Sequence, residues 1–250
     1  MDTSLARDYK NPSQIAKILT ENWMAKEAYC PSCLKSLIQA KANSMVLDFF
    51  CGECKCDFEL KSKRGKFGKK INDGAYKAMI ERLANPASPN FFFMSYSPEF
   101  KVQNLIAVPA YFIQPASIEK RKPLSLQARR AGWIGCNILS EKIPSAGKII
   151  LIENSTVVDK EKVKQKWMQT VFLQTNLSLD SRAWIIDILN CIEKLKSTDF
   201  SLKQLYSFEE DLAKKHPKNK HVKEKIRQQM QILRDKGVVD FVRPGFYTMA

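Results

Sequence analysis

The sequence predicts a chain in two parts. A mixed α/β domain with an embedded four-cysteine metal site spans residues 1–175, and a winged-helix domain spans residues 181–250. Three observations predict this. Short apolar runs alternate with helical stretches up to residue 173. Two Cys-x-x-Cys pairs fall within the first sixty residues. Beyond residue 181 the order is helix, helix, helix, hairpin. Between the parts lies LQTNLSLDS, Leu173 to Ser181, which is polar and aperiodic. A length of 250 residues suits one and a half to two domains at roughly 150 residues each.

In the first part, Ser13 to Ala28 reads as a helix. Met45 to Cys51, Phe91 to Tyr96, Asn104 to Val108 and Lys148 to Glu153 read as strands. Asp73 to Leu83 reads as a second helix with Asn72 as its cap, although Gly74 weakens its first turn. In the second part, Ser181 is the expected cap of a helix whose Trp184, Ile188, Ile192 and Leu195 share one face. Ser201 opens another, with Leu202, Leu205 and Tyr206 inward. Val222, Ile226, Met230 and Leu233 then form one apolar stripe, and Gly237 takes the position that ends a helix. VVDFV and FYTM follow as a hairpin with Arg243-Pro244-Gly245 at its tip.

Lys and Arg number 41 against 26 Asp and Glu, a net charge of +15, which points to a polyanionic partner. No apolar run is long enough to span a membrane, and the N-terminal residues lack a secretory apolar core. The expectation is a cytoplasmic protein whose seven cysteines stay reduced.

Cys30-Pro-Ser-Cys33 and Cys51-Gly-Glu-Cys54 have the spacing of a zinc ribbon. Zinc takes four soft ligands at tetrahedral corners, and a closed four-cysteine site is structural. Cys56, Cys136 and Cys191 lie outside the pattern and read as small core residues.

The second pair sits inside another pattern, Asp48-x10-Glu59-x-Lys61. Residues two apart on a strand share a face, so Glu59 and Lys61 project together while Leu60 turns to the core. Asp48 joins them if its segment is the neighbouring strand. Two carboxylates, Asp48 and Glu59, then offer hard oxygen ligands to Mg2+, and Lys61 orients or deprotonates the attacking water: a phosphodiesterase site. Three solvated charges on a hairpin would satisfy the same spacing. The zinc turn within the ten-residue gap and the basic chain around it favour the site.

Three basic clusters stand ready for a phosphate backbone. LKSKRGKFGKK, Leu60 to Lys70, holds six cations and no acid. Arg129 and Arg130 flank Trp133, an aromatic able to wedge against bases. Between Lys214 and Lys236 lie nine cations and two acids. Opposite the apolar stripe of that helix, Lys220, Lys223, Glu224, Arg227, Gln228 and Gln231 make the face a recognition helix turns to the major groove.

Taken together, ILTENW, the CPSC and CGEC pairs, DFELKSK, INDGAY, NFFF, RKPL, RRAGWIGCN and KEKIRQQMQILRDK resemble the DpnI-type restriction endonucleases nearly end to end. The resemblance implies a PD-(D/E)xK nuclease core with an embedded zinc site and a C-terminal winged helix. It implies cleavage of both strands at GATC carrying N6-methyladenine. Asp48, Glu59 and Lys61 fall on the nuclease motif, Cys30, Cys33, Cys51 and Cys54 on the zinc ligands, and Trp133 in a block that contacts the methylated site. It further implies Mg2+ as catalytic metal, adenine-methylated duplex DNA as partner, no obligate protein partner and a monomer in solution. Leu47 stands where a proline usually precedes the aspartate, and Arg243-Pro244-Gly245-Phe246 carries less charge than a DNA-gripping wing would. Two other readings fit the residues: a non-catalytic zinc and winged-helix regulator, and a nuclease indifferent to methylation.

Overall fold

The computed structural model describes residues 1–41, 47–83, 85, 88–174 and 177–250. The chain divides into two compact units. One comprises residues 1–143 and 147–168; the other comprises 144–146 and 169–250. The division falls at Met168, ahead of the polar run, and the short segment Pro144–Ala146 belongs with the C-terminal unit.

The first unit opens with helix α1, Pro12–Glu27, capped by Asn11, whose side chain accepts from the Ser13 amide. Pro12 takes the first helical position, where its missing N–H costs nothing. Strands β1 (Leu37–Gln39), β2 (Phe49–Cys51) and β3 (Asp57–Arg64) follow as an antiparallel series. Met45 and Val46, the expected start of the second of these, lie outside the described residues. Strand β4 (Lys70–Ala75) and helix α2 (Tyr76–Leu83) cross over to β5 (Asn90–Tyr96), which pairs parallel to β3 with Glu59 opposite Phe91 and Lys61 opposite Phe93. Strand β6 (Val102–Val108) returns antiparallel. Strands β7 (Ile118–Lys120) and β8 (Gly135–Leu139) join β4 in a second sheet of order β4-β8-β7. Strands β9 (Ile149–Glu153) and β10 (Thr156–Val157) complete the seven-stranded sheet, β1-β2-β3-β5-β6-β9-β10, and helix α3 (Lys160–Met168) ends the unit.

Alternation along β3 and β5 gives the main sheet two dissimilar faces. On one, Phe58 stacks on Phe92 at 4.7 Å and meets Trp167 of α3 at 6.1 Å. On that same face Thr20 of α1 shares a hydrogen bond with Ser62. The other face carries Glu59 and Lys61 beside Phe91 and Phe93.

The helix expected over Asp73–Leu83 is a correction. Asn72 and Asp73 pair with Asn137 and Cys136 in the second sheet, a bulge falls at Gly74, and the helix begins at Tyr76. Asn72 therefore caps nothing. A glycine in a first helical turn is costly, and the ladder to β8 supplies backbone partners that a frayed turn would lack.

The second unit begins with α4 (Leu179–Lys194). Its cap is Ser178, which accepts from the Ser181 amide at 3.1 Å, and not Ser181, which lies inside the helix. Trp184, Ile188 and Ile192 are buried as the pattern required. A short strand the sequence reading lacked, β11 (Asp199–Ser201), precedes α5 (Leu202–Tyr206), which Ser201 opens with a reciprocal capping box to Gln204. The expected second helix is two, with α6 (Glu209–Lys215) starting afresh. In α7 (Val222–Asp235) the stripe Val222, Ile226, Met230 and Leu233 is buried. Gly237 at φ +65° ends it: its amide reaches Arg234, and the Val238 amide reaches Leu233, the paired bonds of a Schellman stop.

Strands β12 (Val239–Arg243) and β13 (Phe246–Met249) form the hairpin, and the sheet order is β11-β13-β12. Arg243 is the last residue of β12 and pairs with Phe246, so the turn is only Pro244-Gly245, with Gly245 at φ +77°. A bulge at Val242 leaves Phe241, Val242 and Phe246 exposed, and Arg243 lies over the Phe246 ring at 4.1 Å.

Candidate active site and metal centre

The two Cys-x-x-Cys segments fold as copies of one turn. The amides of Cys30 and Cys51 donate to Lys35 and Cys56, five residues on. The carbonyls of the same cysteines accept from Leu34 and Lys55, four residues on. Leu34 and Lys55 both take left-handed backbone, φ +65° and +60°. The turns present Cys30, Cys33, Cys51 and Cys54 so that one sulfur of each lies within 4.8 Å of all the others. Cys30 and Cys54 approach to 3.4 Å, and Cys33 and Cys51 to 3.3 Å. A tetrahedron with metal–sulfur bonds of about 2.3 Å has edges of about 3.8 Å, so the cluster has the size for a metal ion. Among the described residues it is the one group of three or more metal-ligating side chains gathered this closely. Cys136 and Cys191 are buried and stand outside the cluster; Cys56, read from the sequence as a core residue, is half-buried with its thiol in hydrogen-bond reach of Cys30 and Cys54.

Asp48 lies just before β2. Its Oδ2 accepts from the Leu60 amide at 2.7 Å, which ties it across to β3 between the other two residues of its motif. Asp48, Glu59 and Lys61 line one cleft of about 570 Å³, together with Lys17, Thr20 and Glu21 of α1 and Lys63, Lys70 and Asn72. Leu60 also lines this cleft and is only half-buried, so it does not go to the core. Glu59 and Lys61 also line a second cleft, again of about 570 Å³, with Asp73, Gly74 and Arg82.

Four charges interlock between the clefts. Lys61 bonds to Glu59 Oε1 and to Asp73 Oδ1. Arg82 Nη1 donates to Glu59 Oε2 at 2.5 Å, and its Nη2 lies 3.5 Å from Asp73 Oδ2. The Asp73 side chain is 3% exposed and the other three are 16–17% exposed. Burial works against the Lys61 charge, but the facing carboxylates of Glu59 and Asp73 outweigh it and hold its pKa above the lysine range. The Glu21 carboxyl is pushed up by burial; Lys17 opposes the rise and Asp48 adds to it. Asp73, Arg82 and Glu21 were missed in the sequence. Asp73 was read into a helix, and the other two looked like ordinary helix charges. Asp48 and Glu59 are oxygen donors on the wall of one cleft and are the residues there that could hold a hard divalent cation.

Arg129 and Arg130 lie on the long connection between β7 and β8 and are exposed. The connection is zipped by bonds from Arg121 to Gly135 and from Leu124 to Trp133. Trp133 is half-buried, its ring covered by Arg130 at 4.7 Å and pressed on Gly135, where a Cβ would stand 2.8 Å from the indole. Leu126 projects nearby, 89% exposed.

In the second unit Lys223, Glu224, Arg227, Gln228 and Gln231 are exposed on α7, and Lys220 is exposed just ahead of it. Lys223 pairs with Glu209 at 3.1 Å. Arg227 Nε donates to the Tyr206 hydroxyl at 2.5 Å, so α5 fixes the direction of this guanidinium. Tyr206 was expected inward; it is half-buried and serves as a bracket for the helix face. His216 is buried against Trp184, with Asp187 at 3.0 Å, and is a packing residue of the unit. No helix among the described residues is long and apolar enough to cross a membrane.

The sequence model of DpnI, described as the Dam-replacing family, matches residues 1–176. A second, described as the Dam-replacing HTH domain, matches residues 180–249. Together they cover nearly the whole chain, and the protein belongs to the DpnI-type Dam-replacing family.

Proposed function

We propose that this protein is a methyl-directed restriction endonuclease that cuts both strands of duplex DNA at GATC carrying N6-methyladenine. The observation that carries the reading is the meeting of Asp48, Glu59 and Lys61 on the wall of one cation-lined cleft in a chain of this family. Their placement on β3 and the segment before β2, with a parallel crossover to β5, suits a PD-(D/E)xK core.

In this reading Asp48 and Glu59 would hold Mg2+, which when bound would supply activation of a water and polarisation of the scissile phosphate. Asp48 is oriented by the Leu60 amide, which donates to its Oδ2. Lys61, held charged by Glu59 and Asp73, donates to the phosphate as negative charge builds and is a poor proton acceptor. Lys17, Lys63 and Lys70 draw the backbone in. The four cysteines hold zinc and fix β1, β2 and the start of β3, so the metal centre staples the segments that carry Asp48 and Glu59. Helix α7 enters the major groove as the recognition helix of a winged-helix domain, with Arg129, Arg130 and Trp133 contacting the site from the nuclease domain.

Burying one methyl is worth about 0.8 kcal/mol, roughly fourfold, which is too little to spare unmethylated DNA. Two methyls per site, each read by both domains, multiply that factor, and the second domain also raises local concentration. The test is digestion with Mg2+ of one plasmid in adenine-methylated and unmethylated forms. Cutting of the methylated form alone, at GATC, is expected. Cutting of both forms would remove the methyl reading, and cutting of neither, with DNA still bound, would remove the nuclease.

A further inference from the structure

Glu59 is the proposed metal ligand with no free oxygen. Lys61 takes Oε1 and Arg82 takes Oε2. Beside this closed pair two polar atoms go unused: Asp73 Oδ2 and Arg82 Nε are buried without a hydrogen-bond partner. The nearest approach between these groups, Arg82 Nη2 to Asp73 Oδ2, is 3.5 Å, too long for a good hydrogen bond. The guanidinium lies over the Phe91 ring, 5.2 Å from its centroid, a flat surface along which it can shift. The guanidinium has a donor to spare and Asp73 an acceptor to spare, with Nη2, now on Met79 Sδ, the atom nearest to it; a small movement of Arg82 away from Glu59 would bring the two groups into a full ion pair.

We propose that Arg82 is a resident counter-cation that occupies Glu59 in the metal-free protein and hands it over when a divalent ion enters, with Asp73 as the carboxylate that receives it. The proposal rests on the reading of Glu59 as a metal ligand. A dication at Glu59 repels the guanidinium, and the incoming metal replaces the charge it displaces. Asp73 keeps Arg82 from becoming an unpaired buried cation. Arg82 and Asp73 are thus positioning residues that set metal affinity, and neither needs to touch DNA.

The test is Mn2+ binding to the full-length, zinc-loaded protein without DNA, by calorimetry with free Mn2+ followed by electron paramagnetic resonance. Arg82→Met is expected to bind Mn2+ about tenfold tighter, because the competing cation is gone. Asp73→Asn is expected to bind it about tenfold weaker. In the Arg82→Met background the effect of Asp73→Asn should fall below about threefold, because the part that runs through the arginine is gone and only the bond to Lys61 remains. A scaffold role for Arg82 gives weaker binding on its removal, the opposite sign. Should Arg82→Met fail to fold, Arg82→Lys, shorter and unable to fork, gives the same sign at smaller size. Unchanged or weaker binding in either arginine variant, or full additivity with Asp73→Asn, would overturn the handover while leaving the active site in place. Unchanged binding in Glu59→Gln would remove the metal-ligand reading itself, and the handover with it.

Discussion

The cluster on β3 and the polar face of α7 both gather charged residues, and they hold them in opposite ways. Glu59, Lys61, Asp73 and Arg82 are nearly out of solvent, and each bonds a charge of the other sign. On α7 the cations stand in water; Lys223 and Arg227 are merely steadied by Glu209 and Tyr206. Buried charges are poorly screened and costly to move, so a group among them can act on a bond at one position. Solvated charges cost little to rearrange, so they attract phosphates over a distance set by salt and give affinity and rate. On the proposed function, one region serves chemistry and the other capture.

Removing a charge from each region is the strongest way to break that comparison. Glu59→Gln or Lys61→Ala should lower the rate of cleavage of methylated DNA by about 10³-fold or more while leaving DNA binding within a few-fold. Arg227→Ala should do the reverse: binding weakened about tenfold and single-turnover cleavage at saturation little changed. Gel-shift titration and single-turnover digests on the same preparations check both. A large binding loss from Glu59→Gln would erase the distinction.

What the sequence made legible follows the same division. The cysteine pairs, the Asp48 motif and the α7 stripe are local or periodic patterns, and a reader needs no fold to see them. Asp73 and Arg82 become partners of Glu59 and Lys61 only because the chain crosses over through β4 and α2 to set β5 beside β3. Nothing near Asn72-Asp73-Gly74 announces a bulged strand, since its pairing partner β8 lies more than sixty residues away. The cap of α4 is Ser178 and not the expected Ser181 for a humbler reason. Ser178 and Ser181 are both residue types that cap helices, and local sequence does not say at which of them the backbone is extended; here it is Ser178.

The next largest effect should come from the cysteine centre. Cys33→Ser, or zinc removal by a chelator, should lower the melting temperature of the first unit by more than about 10 °C, because structural zinc supplies folding free energy. Scanning calorimetry should show the C-terminal unit melting unchanged. A cooperative drop of both would make the metal a support for the whole chain.

Smaller and more diagnostic is the salt dependence of binding. Each of Lys220→Ala and Arg227→Ala should reduce the log–log slope of affinity against salt by about 0.9, the signature of one lost phosphate contact. Lys61→Ala should leave the slope alone.

The smallest effect is on stability at high pH. Lys61 ionises above its ordinary value of 10.5 in the folded protein, so its ion pairs contribute fully below that value. The contribution is lost as pH rises through the higher folded value. The difference in chemical unfolding between wild type and Lys61→Met should therefore be constant from pH 7 to about 10 and shrink beyond it.

The hairpin of the C-terminal unit has a colloidal consequence. In the sheet order β11-β13-β12, β12 is an edge, and it shows Phe241 and Val242 to solvent beside unpaired backbone groups. Such an edge invites a second copy to add its own strand. The bulge at Val242 spoils the register that a regular ribbon would need, and Arg243, folded over Phe246, plants a like charge where two copies would meet. The second device is lost if Arg243 is drawn away to a phosphate, but then the bulge remains and the bound polyanion itself keeps the molecules apart. One kink and one arginine thus guard this edge against a second copy.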